Sequence, residues 1–211
     1  MKKIILILAV LLFASGKVHA QYSILDEKST GTGVYNQFGT NKIDNSEIYT
    51  RLGISVAQQG QYTKAIECFN KAIKLDANST SAYYNLAICY MKIDKTDLAI
   101  ENFKKGNDIY PDYKSCINIG ALYANQSMYD EAIKYLEQAK SFKEKDAALF
   151  HNLGIIYDNK GEHQKAIENF EKVLELDPKN KKAYYNIGII YQHLGKNELA
   201  IENLNKAASE N

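Results

Sequence analysis

The histidines and serines of this chain are the first candidates for catalysis, and their spacing tests that role. No HExxH pair occurs, so the sequence lacks the arrangement that places two imidazoles on one helix face around zinc. Residues Gly53 to Ala57 read Gly-Ile-Ser-Val-Ala, which imitates a nucleophile elbow but lacks its second glycine. The sequence therefore predicts no catalytic residue and no metal site. The histidines are His19, His151, His163 and His193.

A glycine-containing segment near the C-terminus is the nearest approach to a phosphate-binding loop. Between Gly188 and Gly195 stand six residues where a P-loop has four, and Lys196 is followed by Asn rather than by Ser or Thr. The segment therefore lacks both the length and the metal-binding hydroxyl of a nucleotide site. No cofactor is predicted.

Three cysteines, Cys68, Cys89 and Cys116, make an odd number with no CxxC pair. This spacing fits neither a disulfide framework nor a zinc module. They are predicted to be small buried core residues. The sequence leaves open whether any two of them pair in an oxidising compartment.

Charge and composition exclude a second class of function. Lys and Arg number 26 against 25 Asp and Glu, so the formal net charge of the 211-residue chain is +1. Nucleic-acid binding usually requires a basic excess, and this chain has almost none. Hydrophobic residues at 45% and charged residues at 24% are typical of a folded protein rather than a disordered one.

A repeat determines the predicted fold. The dipeptide Ala-Ile recurs at intervals of 34, 33, 34 and 34 residues. A small residue precedes each Ala by twelve positions, and apolar residues follow it at helical offsets of four and seven. Each unit is therefore predicted to contain two helices with a turn between them. The repeated alanines are Ala65, Ala99, Ala132, Ala166 and Ala200, and the small residues are Gly53, Ala87, Gly120, Gly154 and Gly188.

Turn signals and prolines support this division. Both prolines, Pro111 and Pro178, stand just after the predicted second helix of their units, where a missing N–H does no harm. The small residues lie where the two helices of a unit cross, which allows their backbones to approach closely. The predicted turns contain Gly60, Asp94, Ser127, Gly161 and Gly195.

This pattern resembles the tetratricopeptide repeat (TPR) family. The resemblance covers residues 46–211 and implies an all-α, right-handed α-solenoid of about five units, namely 46–79, 80–112, 113–146, 147–180 and 181–211. Tyr, Phe or Cys replaces the tryptophan that is common early in the family's repeat. These residues are Tyr49, Tyr83, Cys116, Phe150 and Tyr184.

In this family the first helices of successive units line a concave groove that generally holds peptides or protein partners. The resemblance therefore implies a peptide- or protein-binding groove whose residues share these unit positions. They are Tyr84, Asn85, Ile88, Met91, Ile117, Asn118, His151, Asn152, Ile155, Tyr185, Asn186 and Ile189. The four asparagines have two interpretations, since their amides can bind an extended peptide backbone or can tie neighbouring helices together.

The apolar members of this strip are interpreted as a binding surface, because another helix face already supplies the core. The family's clamp for a C-terminal carboxylate is not supported, since Thr50 and Ile54, or Tyr84 and Ile88, occupy the places that need Lys and Asn.

The N-terminus is predicted to direct export. Met1-Lys2-Lys3 precedes an apolar run of eleven residues, which is too short to span a bilayer, and Val18-His19-Ala20 resembles a signal-peptidase site. Residues 1–20 are thus predicted to be a signal peptide, with no membrane span in the mature chain. Residues 21–45 have no helical or strand period and are interpreted as a flexible linker. The mature protein is expected in the periplasm or outside the cell.

The sequence as a whole therefore resembles an exported bacterial TPR protein, not an enzyme, that holds an unidentified peptide or protein partner as a scaffold. Two alternatives stay open: a structural subunit of a cell-envelope complex that assembles with copies of itself, and a glycan or cell-wall binder. The last repeat has an uncovered face where Ile201, Leu204 and Ala208 lie about one helical turn apart. This end is expected to be covered by a partner or by self-association, or to fray.

Overall fold

The computed structural model describes residues 34–35, 42–43 and 45–209. This part of the chain contains ten α-helices and one two-stranded antiparallel pair. The first helices of the five units are α1 (Asn45–Gln58), α3 (Thr80–Lys92), α5 (Tyr113–Asn125), α7 (Ala147–Asn159) and α9 (Lys181–His193). The second helices are α2 (Tyr62–Leu75), α4 (Thr96–Ile109), α6 (Tyr129–Phe142), α8 (His163–Leu176) and α10 (Asn197–Ala208).

The two strands lie in the segment for which the sequence predicts a linker. β1 (Val34–Tyr35) pairs with β2 (Lys42–Ile43), so that Val34 stands opposite Ile43. The rest of that segment up to residue 44, and the predicted signal peptide at 1–20, lie outside the described residues.

The turn inside every unit contains one residue in the left-handed backbone region. These five residues coincide with the predicted turns, and three of them are glycines. Asp94 (φ 57°) and Ser127 (φ 60°) adopt the same region with a side chain. A left-handed residue after a helix stops it and turns the chain back, so the second helix packs against the first. The helix-turn-helix unit is thus confirmed five times.

The two helices of a unit cross at the predicted small residue. A Cβ atom added to Gly154 would lie 2.8 Å from the Phe170 ring, and one added to Gly188 would lie 2.8 Å from Leu204. Such contacts are shorter than van der Waals distance, so these crossings require glycine. The alanines of all five Ala-Ile pairs are buried beside them.

The core is divided along the chain rather than gathered in one place. In units two to four, each buried cluster contains residues from both helices of the unit and from the first helix of the next unit. One cluster joins Phe150 of α7, Phe170 of α8 and Ile187 of α9, and another joins Cys116, Leu136 and Leu149 of α5, α6 and α7. Each unit therefore completes the core of its predecessor, as in an α-solenoid.

Two of the three cysteines have the predicted core environment. Cys89 and Cys116 are buried, and their burial raises the pKa of each thiol to about 11. Cys68 is only partly buried, and all three are unpaired thiols. A raised pKa keeps a thiol protonated and unreactive at neutral pH.

Candidate protein-binding surface

The predicted groove residues lie on the first helices α3, α5, α7 and α9. None of the twelve is buried. Tyr185 and Ile155 are the most open of the large apolar ones, with exposed fractions of 54% and 39%. The first helices stand side by side, because hydrogen bonds join α3 to α5 and α7 to α9. The predicted residues thus form one solvent-accessible surface, which we call the first-helix surface.

Part of the apolar strip also belongs to the core, which corrects the interpretation from sequence. The Tyr84 ring packs edge-on against the buried Phe103, with ring centroids 5.3 Å apart. Ile88 and Met91 pack against the same cluster, and Ile117 packs against the next. Only one side of these residues therefore faces solvent. The sequence predicts core and strip on separate helix faces, whereas in the structure the strip residues also pack into the core clusters.

His151 and Asn186 form a contact between α7 and α9. The side-chain nitrogen of Asn186 lies 3.3 Å from Nε2 of His151, whose ring packs edge-on against Phe170 at 5.5 Å. Burial, and to a lesser degree the charge of Lys182, lowers the pKa of His151 below its ordinary 6.5. His151 is therefore neutral at pH 7, and Nε2 can accept a hydrogen bond from the Asn186 amide.

The four asparagines do not behave alike. Asn118 donates to the Tyr84 hydroxyl at 3.3 Å, so Asn118 and Asn186 both tie neighbouring first helices together. Asn85 donates to the backbone oxygen of Ser81 in its own helix at 2.8 Å. The Asn152 side chain makes no hydrogen bond within the described part of the chain. The amide oxygens accept nothing there either, so they remain available to a ligand.

A cleft of about 400 Å³ opens on this surface between α7 and α9. It combines two lysines with an exposed aromatic ring and an exposed aliphatic side chain. Its lining residues are His151, Ile155, Lys181, Lys182, Tyr185, Asn186 and Ala207. Neither lysine is among the groove residues predicted from the sequence, although Lys181 and Lys182 hold the first two positions of their unit.

A second cleft, of about 430 Å³, lies outside the predicted surface along α4. Four of its polar side chains already have partners: Glu101 pairs with Lys105 at 2.6 Å, and Gln126 donates to Asp97 at 2.9 Å. It is slightly larger than the cleft between α7 and α9, but these four side chains are engaged in pairs. The α7–α9 cleft is therefore the better candidate for a ligand.

The first helices contain an excess of positive charge. They contain five basic and two acidic residues. Both acids are engaged, since Glu47 pairs with Arg51 and Asp158 lies 2.8 Å from Nδ1 of His163. The remaining cations form no ion pair within the described residues. They are Lys92, Lys114, Lys181 and Lys182.

Neither a metal-binding cluster nor a membrane-spanning helix is found among the described residues. No three His, Cys, Asp or Glu side chains come together there in a way that could hold a metal ion. None of the described helices has the length and apolar character needed to cross a bilayer. The surface is thus characterised by its apolar, amide and lysine groups.

Comparisons with known proteins agree with the repeat. Models of the tetratricopeptide repeat match residues 80–113, 113–146, 147–180 and 169–202, and a TPR repeat model matches 53–94. The Photosystem I assembly protein Ycf3 of Synechococcus sp. (strain CC9605) is 36% identical over 80 residues, which are 36% of this chain and 46% of that protein. Ycf3 of Prochlorococcus marinus (strain MIT 9215) is 31% identical over 107 residues, or 49% of this chain and 62% of that protein. The chain thus spans about half the length of these relatives.

Two solved structures extend the likeness to most of the described helices. The MamA crystal structure has a TM-score of 0.69 and 29% identity, covering 74% of this chain and 91% of MamA. YrrB, described as a TPR protein with an unusual peptide-binding site, has a TM-score of 0.71 at 24% identity. The matched region covers 78% of this chain and 85% of YrrB. At 24% identity, the likeness shows the fold alone.

Proposed function

Because the chain belongs to the tetratricopeptide repeat family, we propose that it is a non-catalytic scaffold that binds a peptide or protein segment on its first-helix surface. One observation carries this proposal: all twelve groove residues are accessible on adjacent helices, and the two most open large apolar ones, Ile155 and Tyr185, line a cleft. Exposed apolar surface next to unused amide oxygens suits a peptide backbone with apolar side chains. Ordering a flexible peptide offsets much of the gain, so affinity should be on the order of micromolar.

The test uses two double variants of the mature chain in affinity capture from an envelope extract. Ile155→Ala with Tyr185→Ala removes exposed apolar area from the cleft at little cost to folding. Glu101→Ala with Glu168→Ala changes exposed residues of the second helices and serves as the matched control. We expect the first pair to lose the captured partner and the second pair to keep it. Loss with the glutamate pair alone would place binding on the second helices and contradict the proposal.

We also propose that the protein acts outside the cytoplasm, in the periplasm or secreted. The support is the basic start, the short apolar run and the Val18-His19-Ala20 sequence, with Gln21 as the first mature residue. Intact-mass measurement on protein from an envelope fraction tests this directly. A mass that includes Met1 would contradict cleavage.

A second candidate function is self-assembly through the last unit. Ile167 is 2% exposed beneath α9, whereas its counterpart Ile201 is 59% exposed, because no further first helix packs on it within the described chain. Light scattering coupled to size-exclusion chromatography tests this alternative. A mass that falls from oligomer to monomer in Ile201→Lys would favour it, and a wild-type monomer across the micromolar range would contradict it.

A further inference from the structure

We infer that the cleft between α7 and α9 binds an acidic peptide segment in which a carboxylate stands next to an aromatic or large aliphatic side chain. This inference rests on the proposed function and specifies the chemistry of its partner. The cleft provides both halves of such a site, with Lys181 and Lys182 for the carboxylate and Ile155 and Tyr185 for the apolar side chain.

The lysines are free to pair with an incoming anion. Elsewhere in the described helices, most close lysine–carboxylate pairs join neighbouring turns, as in Lys105–Glu101, Lys140–Glu137 and Lys206–Glu202. Lys181 and Lys182 have no such partner in the described residues, and both are exposed. Lys182 lies near enough to His151 to act on it electrostatically. Two adjacent unpaired cations at the rim of a cleft favour an acidic ligand.

The distribution of charge over the molecule directs such a ligand to this side. The second helices contain twelve acidic and ten basic residues, against two acidic and five basic in the first helices. An acidic peptide is thus attracted to the first-helix surface more than to the opposite side. Because the whole chain is nearly neutral, this excess is local. That favours a short acidic segment over a long nucleic acid.

The apolar part of the cleft favours a segment that is not merely charged. The Tyr185 ring is 54% exposed beside Ile155, which gives a bound aromatic or aliphatic side chain a surface on which to pack. A volume near 400 Å³ lies at the lower end of ligand pockets, which suits one or two side chains rather than a whole domain. The oxygen of the Asn186 amide, which accepts no hydrogen bond in the described chain, can receive a peptide N–H.

The experiment measures binding of a labelled seven-residue peptide, Gly-Asp-Glu-Tyr-Asp-Phe-Gly, to the mature chain by fluorescence anisotropy. Its neutral analogue has Asn and Gln in place of the acids, and a single-stranded RNA of similar charge is the third probe. We expect the acidic peptide to bind at least about fivefold more tightly than the neutral one, and this preference to shrink as salt is raised. Equal binding of the two peptides, or tighter binding of the RNA, would overturn the inference.

Charge reversal locates the site. Lys181→Glu with Lys182→Glu should weaken acidic-peptide binding by about tenfold or more. Lys64→Glu with Lys74→Glu, which makes the same charge change at exposed positions on α2 in the first unit, should change it by less than about twofold. Melting curves check that both variants fold, and Lys181→Gln with Lys182→Gln provides a milder version. Equal losses in the two charge-reversed variants would show only general charge attraction and would overturn the site.

The two proposals can fail separately. If Ile155→Ala with Tyr185→Ala abolishes capture of the native partner while reversal of the lysines leaves both that partner and the acidic peptide bound, the scaffold function stands and the acidic chemistry is wrong. If capture survives both cleft variants, the proposed surface itself is wrong.

Discussion

At the level of single residues, the closest packing in each unit lies where its two helices cross. Gly53, Gly120, Gly154 and Gly188 each leave no room for a Cβ, since their nearest neighbours would lie within 2.8 Å. The second unit differs, because it has Ala87 at the crossing position. Its second helix contains Gly106 at a position where the other units have Ala or Val. A Cβ on Gly106 would lie 3.2 Å from Tyr83. Gly106 thus marks an additional close approach of α4 to α3, near the start of α3.

This geometry predicts unequal costs for two glycine substitutions. Gly154→Ala forces a methyl group against the Phe170 ring and should lower the free energy of unfolding by about 1–3 kcal/mol. Gly106→Ala meets a less severe contact and gains helix propensity of about 1 kcal/mol, so its net effect should be near zero. Urea unfolding of both variants measures the difference. Equal destabilisation would show that the crossings are not set by these contacts.

His151 predicts a pH dependence. Its pKa is lowered by burial first and by Lys182 second, so the folded protein takes up this proton less readily than the unfolded chain. Well above pH 6.5 the ring is neutral in both states, so it does not change the free energy of unfolding. As pH falls below 6.5, the unfolded chain binds the proton more readily than the folded protein, and stability is lost. We expect the melting temperature to fall more between pH 7 and pH 5 in the wild type than in His151→Gln. Parallel curves would show that His151 titrates normally.

At the level of helices, caps distinguish the two helices of each of the last three units. The first helices α5, α7 and α9 begin after Asp112, Asp146 and Asn180, whose side chains accept backbone N–H groups of the first turn. The second helices have no side-chain cap. They follow a tight turn, and packing against the first helix fixes where they start. Caps therefore stabilise the junctions between units rather than the turns within them.

The cap at Asp146 also contacts another helix, α5. Its carboxylate accepts the N–H groups of Ala148 and Leu149 and the hydroxyl of Tyr113, which lies 2.6 Å away. These bonds, the Tyr113 contact above all, lower the pKa of Asp146 below its ordinary 3.8. Their stabilisation is complete well above pH 4 and is lost as pH falls through the lowered pKa.

Asp146→Ala should therefore lower the free energy of unfolding by about 1–2 kcal/mol at pH 7. Met128→Ala changes a residue that precedes α6 without a capping bond and should cost much less. Urea unfolding at pH 7 and pH 3 measures both. If the cost of Asp146→Ala stays the same at pH 3, the carboxylate charge does not contribute.

At the level of the whole molecule, each unit depends on the next. The Ile of the Ala-Ile pair is buried or partly buried where a first helix follows, with Ile100 and Ile167 the most buried, and is 59% exposed at Ile201. Leu204 does not belong to the end face alone, because it also fills the crossing at Gly188. The expectation of a single end face through Leu204 is thus corrected to one centred on Ile201, with Ala208 exposed beside it.

Loss of the isoleucine side chain should therefore lower the free energy of unfolding by different amounts at Ile167 and Ile201. Ile167→Ala opens a cavity in a closed junction and should cost about 2–5 kcal/mol. Ile201→Ala removes an exposed group and should cost less than about 1 kcal/mol in the monomer. Urea unfolding at low protein concentration measures both values. A large cost at Ile201 would show that its face is covered, for instance by a second copy.

The repeat was readable from sequence because its signals are local. Ala-Ile pairs, helical offsets and turn residues fix helix faces and ends within one unit, and each unit meets the same neighbours, so the all-α solenoid follows by repetition. The tertiary structure was needed for the side-chain contacts that depend on neighbouring units. It showed that Tyr84 lies half in the core, that Asn118 and Asn186 tie helices together while Asn152 does not, and that Lys181 and Lys182 share a cleft with Tyr185. The Tyr84–Asn118 and His151–Asn186 contacts join side chains 34 and 35 residues apart on neighbouring first helices. Their distances follow from how the units stack, which no local pattern encodes.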